Sequence, residues 1–279
     1  MLKIFAFLYL GGRVQRTHKK EDIVMKRRVL SLLLIAVLVL SVVGCGSTTT
    51  TTKKETLKVG MEIGYPPFEY YDTDGTTVIG VDVELAKALG EKMGMEVQLV
   101  DTAWAGIFAG LDKGDYDCIT SAVTITPDRL LDYEFSDPYI KNYQCIVTLK
   151  DAAVQPTKPE DLKNLKVGYQ EETTSDTFLT DLITATGMKC ETSEYPKVLD
   201  VFSDLKIGRL DAVMCDSTVA SSYLGDGSVY KQTWIQTTEP EEFGVCIKKG
   251  NSALTTKINS ALSELKKDGT LDKILAKYF

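Results

Sequence analysis

The chain has 279 residues, with 32 lysines and arginines against 39 aspartates and glutamates, a formal net charge of −7 and a single histidine. Residues 1–44 hold eight of the basic and two of the acidic side chains, so the remainder carries 24 against 37 and stands near −13, which argues against a nucleic-acid partner. His18 also falls in that leader, so the rest of the chain has no imidazole for a histidine triad or a zinc site of the usual kind.

Residues 1–24 carry Arg13, Arg16, Lys19 and Lys20, none of which has a role in a secretory signal, and are expected to be an upstream extension, with translation starting at Met25. Met25-Lys26-Arg27-Arg28 is a basic start, and residues 29–43 are apolar apart from Ser31 and Ser41. That is a secretory signal over residues 25–44, shorter than the about 20 apolar residues of a membrane span. It ends at Val42-Val43-Gly44-Cys45, which resembles the site where signal peptidase II cleaves and the cysteine is acylated, so Cys45 is the expected lipidated residue. Residues 45–56, with the threonine run 48–52 and Lys53-Lys54, have almost nothing to bury and read as a flexible tether.

From residue 57 onward strand and helix signals alternate, the grammar of an α/β protein. A strand over 57–63 ends at Gly64-Tyr65-Pro66-Pro67-Phe68, and Asp74-Gly75 marks a turn. Val81, Leu85, Leu89 and Met93 then give a helical stripe stopped at Gly94. Two later segments share one spacing: Phe108, Leu111, Gly114, Asp117 and Phe202, Leu205, Gly208, Asp211. Each reads as a helix end, a glycine stop and a strand, the first with a helix over 104–113 and a strand over 118–123, the second with 198–207 and 212–215. Strand-like segments at 143–149 and 243–247 flank the second unit and are expected to cross between two lobes, lobe 1 being 57–142 plus 243–279 and lobe 2 being 143–242. Leu254, Ile258, Ala261, Leu262 and Leu265 form a last amphipathic helix stopped at Gly269. Cys118, Cys145, Cys190, Cys215 and Cys246 lack any C-x-x-C spacing and mostly sit in apolar runs, as buried thiols do.

Three places carry chemistry. Thr126-Pro127-Asp128-Arg129 has an N-cap, a proline at the first helical position, and an arginine in the first turn. A helix N-terminus with a guanidinium beside it can hold a carboxylate through paired charge-assisted hydrogen bonds. The strand over 165–170 leads to Glu171-Glu172-Thr173-Thr174, where Thr173 or Thr174 can cap a second helix. Asp216 follows the strand 212–215 directly, a position at a strand's carboxyl end that suits ligand binding and an ammonium partner.

These segments resemble the family 3 extracellular solute-binding proteins, the polar amino-acid-binding components of bacterial ABC importers. The likeness rests on Val59-Gly60-Met61-Glu62-Ile63-Gly64-Tyr65-Pro66-Pro67-Phe68, Ile79-Gly80-Val81-Asp82, Thr124-Ile125-Thr126-Pro127-Asp128-Arg129, Phe135-Ser136-Asp137-Pro138-Tyr139, Gly208-Arg209-Leu210-Asp211-Ala212 and Lys267-Asp268-Gly269-Thr270. It implies a two-lobe periplasmic-binding-protein-like (type II) α/β fold with a hinge between discontinuous lobes. It also implies that Arg129 binds the ligand α-carboxylate with Thr124 and Thr174, and that Asp216 and Ser121-Ala122 hold the α-ammonium. Glu62, Tyr65, Trp104 and Gln170 match the side-chain pocket. One departure is Glu172, preceded by Glu171, where family members commonly have glycine.

The expected function is capture of a polar amino acid by lobe closure and delivery to a membrane permease with its ATPase. Glu62 with Tyr65 and Trp104 favours arginine, lysine or ornithine; an acid at that position also resembles binders of cystine and glutamine. A few relatives resemble cyclohexadienyl dehydratases, for which Glu172 would be the acid, but one carboxylate does not define a catalytic site, and no enzyme is expected. No cofactor, metal or nucleic acid is expected, and the chain should act as a monomer held by its lipid at the extracytoplasmic face of the membrane. A sensor is the remaining class; with the chain ending at Phe279 and no transmembrane or signalling segment downstream of the domain, transport is the expectation.

Overall fold

A computed structural model describes residues 54–279; the extension at 1–24, the signal at 25–44, Cys45 and the tether up to residue 53 lie outside the described residues. Strand β1 (Thr56–Met61) alternates exposed and buried residues at first and then stays buried, as a strand entering a covered sheet does. A small hairpin, β2 (Tyr70–Tyr71) and β3 (Val78–Ile79), leads to α1 (Val81–Met93), which buries Val81, Val83, Leu85, Ala86 and Leu89 and stops at Gly94 in the left-handed region. Then come β4 (Glu96–Asp101), a 3₁₀ turn at Trp104–Gly106, α2 (Ile107–Lys113) and β5 (Cys118–Ile119). The expected strand over 118–123 is thus two residues long: Ala122 has a φ of 47°, which a continuing strand does not tolerate, and the chain turns out of the sheet.

After this turn α3 (Pro127–Asp132) is capped by Thr126, whose Oγ1 accepts from the Arg129 amide at 3.1 Å. Strands β6 (Tyr133–Phe135), β7 (Ile140–Asn142), β8 (Gln144–Leu149) and β9 (Lys166–Gln170) follow. Helix α4 (Thr174–Thr186), β10 (Glu191–Tyr195), α5 (Val198–Lys206), β11 (Ala212–Asp216), the short α6 (Ser217–Ser221) and β12 (Tyr230–Ile235) complete the middle of the chain. The last part is β13 (Glu241–Phe243), β14 (Cys246–Lys248), α7 (Ser252–Lys267) and α8 (Thr270–Tyr278). Gly269 does stop α7, and its left-handed backbone also redirects the chain into α8, a helix that the pattern of apolar residues did not announce.

Two five-stranded sheets result, ordered β4-β1-β5-β14-β6 and β10-β9-β11-β8-β12. In each, a central strand pairs parallel with two neighbours, and the next strand runs antiparallel. The two units β1-α1-β4-α2-β5 and β9-α4-β10-α5-β11 therefore repeat one topology. The shared spacing in the sequence has a physical job: the Asp117 carboxylate accepts from the Lys58 amide at 2.8 Å, and the Asp211 carboxylate accepts from the Lys166 amide at 2.8 Å. Each aspartate pins the start of its own central strand. Glycine follows at the same step of both strands, because a Cβ on Gly60 would strike the Tyr116 ring at 2.6 Å and one on Gly168 would strike Leu210 at 2.4 Å.

The segments that pair between the sheets are β7 and β13, which run antiparallel. They lie beside the crossings expected at 143–149 and 243–247; β8 belongs wholly to the second sheet and β14 to the first. All five described cysteines are free thiols, four of them buried, and Cys145 Sγ lies 3.8 Å from Cys215 Sγ across β8 and β11.

Gly80 joins the proline loop to α1. Val81 and Asp82 donate their amides to the carbonyls of Pro67 (3.0 Å) and Phe68 (2.9 Å), which draws the loop against the helix start. At φ 134° a Cβ on Gly80 would fall 2.0 Å from the Phe68 oxygen, whereas one on Gly94, at φ 69°, would meet nothing within 4 Å. Gly80→Ala should therefore cost about 3 kcal/mol or more and Gly94→Ala about 1 kcal/mol, read from urea midpoints. Equal losses at the two positions would contradict this account of the junction.

Candidate functional site

The carboxyl ends of the central strands meet in one cleft. Glu62 follows β1, Ser121 lies just past β5, Gln170 ends β9 and Asp216 ends β11. In open α/β sheets that is where strand termination frees side chains and backbone to face a ligand. The cleft is lined by Glu62, Tyr65, Trp104, Ser121, Ala122, Thr124, Arg129, Gln170, Thr174 and Asp216, all ten of the residues singled out from the sequence, together with Thr173.

Arg129 lies in the first turn of α3, its Nη1 donating to the Thr124 carbonyl at 3.0 Å. Its guanidinium packs 5.5 Å from the Trp104 ring centroid and 5.2 Å from that of Phe108, against one side of two rings that meet edge to face. Among the described residues it forms no salt bridge. Burial lowers its pKa, against the opposing effects of Glu241 and Asp216, but an arginine remains charged, so a half-buried cation stands in the cleft with no direct ion pair among the described residues.

Asp216 is held by three neutral donors: the Tyr65 hydroxyl at 2.5 Å, Asn142 Nδ2 at 2.6 Å and Gln144 Nε2 at 3.0 Å. Burial, and then the nearby Glu241 carboxylate, raise its pKa to about 7, while burial and Asp216 push the Tyr65 phenol well above its usual range and keep it a donor. Glu62 is 2 % exposed, and its Oε2 accepts from Gln170 Nε2 at 2.7 Å, a bond from the second sheet to the first. Burial lifts its pKa to about 7 as well, against the opposing effects of Gln170 and Lys197.

Thr173 caps α4, so Thr174 is the first helical residue. Glu172 has a φ of 57°, a conformation that glycine adopts freely, which explains why a glycine suits this place. The residue is exposed, and its carbonyl accepts from Trp104 Nε1 at 3.2 Å. The hydroxyl of Ser121 is already committed, donating to Glu69 at 2.5 Å. Among the described residues, no cluster of three or more histidine, cysteine or acidic side chains is arranged to hold a metal.

Sequence reasoning missed Asn142, Gln144 and Glu241. Glu241 Oε2 accepts from Thr174 Oγ1 at 3.1 Å, from Asn142 Nδ2 at 3.0 Å and from Thr124 Oγ1 at 3.4 Å, and its Oε1 accepts from Gln144 Nε2 at 3.0 Å. Asn142 and Gln144 did leave a signal, two buried amides one strand period apart at the edge of an apolar run. Glu241 left none, being one acid among Glu239, Glu241 and Glu242.

Among proteins of known kind, the chain is 32 % identical over 256 residues to the arginine-binding extracellular protein ArtP of Bacillus subtilis, covering 91 % of this chain and 98 % of that protein. It is 32 % identical over 228 residues to the L-cystine-binding protein TcyJ of Escherichia coli, covering 81 % and 84 %. An ancestral arginine-binding protein solved with arginine superposes with a TM-score of 0.75 at 37 % identity, over 81 % of this chain and 99 % of that one. Residues 57–279 match the family model as a whole. With that match, and with the two-lobe type II architecture and the cleft at its strand ends, the chain belongs to the bacterial extracellular solute-binding proteins, family 3.

Proposed function

We propose that this protein is an extracytoplasmic lipoprotein that captures a basic amino acid, arginine, lysine or ornithine, by lobe closure and hands it to an ABC permease with its ATPase. The observation that carries the reading is the opposed pair Arg129 and Asp216, on different lobes of one cleft and neither in a salt bridge, which suits the carboxylate and ammonium of a zwitterion. A ligand that engages both gains contacts in the closed state that the open state lacks, and that difference in affinity closes the hinge. Because the Ser121 hydroxyl is engaged with Glu69, the Ser121-Ala122 turn would offer backbone carbonyls to the ammonium.

The basic side chain is inferred from charge balance. Glu62 and Asp216 line the cleft, and Glu241 accepts hydrogen bonds from Thr174 and Asn142 beside it, with Arg129 as the cation, so a zwitterion leaves negative charge over and a ligand with a further positive charge offsets part of it. Glu62 between Tyr65 and Trp104 is the counterion for that charge, and relatives named for arginine agree with it. Cystine is the second reading, in which Glu62 accepts hydrogen bonds instead; the bond already made by Gln170 and the cystine-binding relative favour it.

Calorimetry separates them. A cationic ligand needs Glu62 ionised, and its pKa in the unliganded protein is about 7, so arginine affinity should fall as pH is lowered from about 8 to 6, up to about tenfold per unit for each carboxyl that must lose its proton. Glu62→Gln should lose about 10- to 100-fold at pH 8 and flatten the pH dependence. Tighter binding of cystine than of arginine, with no effect of Glu62→Gln on pH dependence, would overturn the basic-ligand reading.

The lipid anchor rests on Val42-Val43-Gly44-Cys45, and the protein is proposed to act as a monomer beside its permease. Cys45→Ala should abolish incorporation of labelled palmitate and release the protein from the membrane fraction. Retention of both label and membrane association would remove Cys45 as the anchor.

A further inference from the structure

Behind the Ser121-Ala122 turn lies a pair of carboxyls that the site does not use. Glu69 and Asp82 are both 0 % exposed and lie within side-chain hydrogen-bonding reach of each other, drawn together by the Gly80 junction. Neither forms a salt bridge among the described residues. Glu69 Oε1 accepts from Ser121 Oγ at 2.5 Å, and Ser121 Oγ in turn accepts from the Glu62 amide at 3.0 Å. Asp82 Oδ2 accepts from the Ala122 amide at 2.6 Å and from the Tyr139 hydroxyl at 3.0 Å. The remaining oxygens, Glu69 Oε2 and Asp82 Oδ1, are buried with no donor from any other group.

Two adjacent carboxylates out of water cannot both stay ionised, and a carboxyl pair with one orphan oxygen on each member gains a donor and an acceptor when one proton lies between them. We propose that Glu69 and Asp82 share a single proton, and that this pair is the positioning element that holds Ala122 in its left-handed conformation at the floor of the cleft. One proton then satisfies every polar atom in a chain running from the Glu62 amide through Ser121, Glu69 and Asp82 to the Ala122 amide. Ala122 at φ 47° is a strained place for a residue with a Cβ, and its amide bond to Asp82 supplies the restraint. The relevance of this turn to a ligand rests on the function proposed above; the shared proton does not.

The surroundings hold the proton in place. Glu62, at the end of β1, adds negative charge toward Glu69, and Tyr139, ahead of β7, is a neutral donor. Of the cations on or beside α1, Lys277 pairs with Glu84, Lys92 pairs with Asp268, and Lys87 is exposed to water. Burial raises both carboxyls, Asp82 to about 7 and Glu69 well above its usual range. A group whose pKa is higher in the fold than in the unfolded chain holds a proton that the unfolded chain has released, so the fold loses stability as pH rises between the two values.

Glu69→Gln tests this, because its amide donates to Asp82 and its oxygen still accepts from Ser121, with no proton to lose. The folding equilibrium of the ligand-free wild type should decline relative to Glu69→Gln by up to about tenfold per pH unit from about pH 5 upward, until the shared proton is lost. Glu62 and Asp216 act alike in both proteins and cancel from the comparison. Amide exchange at Ala122 should be slow in the wild type and in Glu69→Gln but faster in Glu69→Ala. Parallel pH profiles for the wild type and Glu69→Gln would overturn the shared proton. Unchanged Ala122 exchange in a folded Glu69→Ala would overturn the positioning role; if Glu69→Ala fails to fold, the same comparison is read from Ser121→Ala, which cuts the chain on its other side. All these readouts omit ligand, so an incorrect amino-acid assignment leaves them decisive.

Discussion

A half-buried guanidinium on one lobe and a buried carboxylate on the other, neither neutralised by a salt bridge, is the constraint around which this molecule is arranged. Isolated buried charges are expensive. Arg129 is tolerated because two aromatic rings and a backbone carbonyl replace part of its hydration, and Asp216 because a phenol and two amides do the same. Neutral donors stabilise a carboxylate without cancelling its charge, so its attraction for a cation is retained. The raised pKa of Asp216 reflects the desolvation that those donors leave uncompensated, and an arriving ammonium would draw the group back to its ionised form.

The repeated β-α-β-α-β units explain why the two lobes present their charges in the same way. Asp117 and Asp211 pin equivalent central strands by the same backbone bond, and the glycines at Gly60 and Gly168 let Tyr116 and Leu210 press against those strands. Each sheet thereby delivers its strand ends to the cleft, and bonds such as those from Gln170 to Glu62 and from Trp104 to the Glu172 carbonyl join the two lobes there. Rigidity lies within each sheet, and the paired crossing strands β7 and β13 are the connections about which closure is expected.

What could be read from the sequence was the local part. The cap at Thr126, the proline at the first helical position and Arg129 one turn in are set by neighbours three residues apart, and the structure builds them as the pattern implies. The helix stops at Gly94 and Gly114, and the strand ending at Asp216, were legible for the same reason. The short β5 was not, because Ala122 turns where its amide meets Asp82, 40 residues earlier, a meeting that no local pattern reports. Glu241 was hidden by distance: its partners Thr124, Asn142 and Gln144 are 117, 99 and 97 residues away, and no periodicity within the chain reports such a meeting. Residue by residue, the resemblance to a known family named the cleft lining more fully than spacing alone, since Tyr65, Trp104 and Gln170 are ordinary apolar or polar positions until the lobes are brought together.

The central claim is that the opposed charges of Arg129 and Asp216 grip the two ends of an amino acid. Its most direct test is titration of arginine into the wild type, Arg129→Ala and Asp216→Ala, each first shown to be folded by circular dichroism. The account predicts micromolar or tighter binding by the wild type and none detectable by either variant, since each loses charge-assisted bonds worth about 1.5 to 3 kcal/mol apiece and leaves a ligand charge unpaired in a desolvated cleft. Arginine bound with wild-type affinity by both folded variants would contradict it.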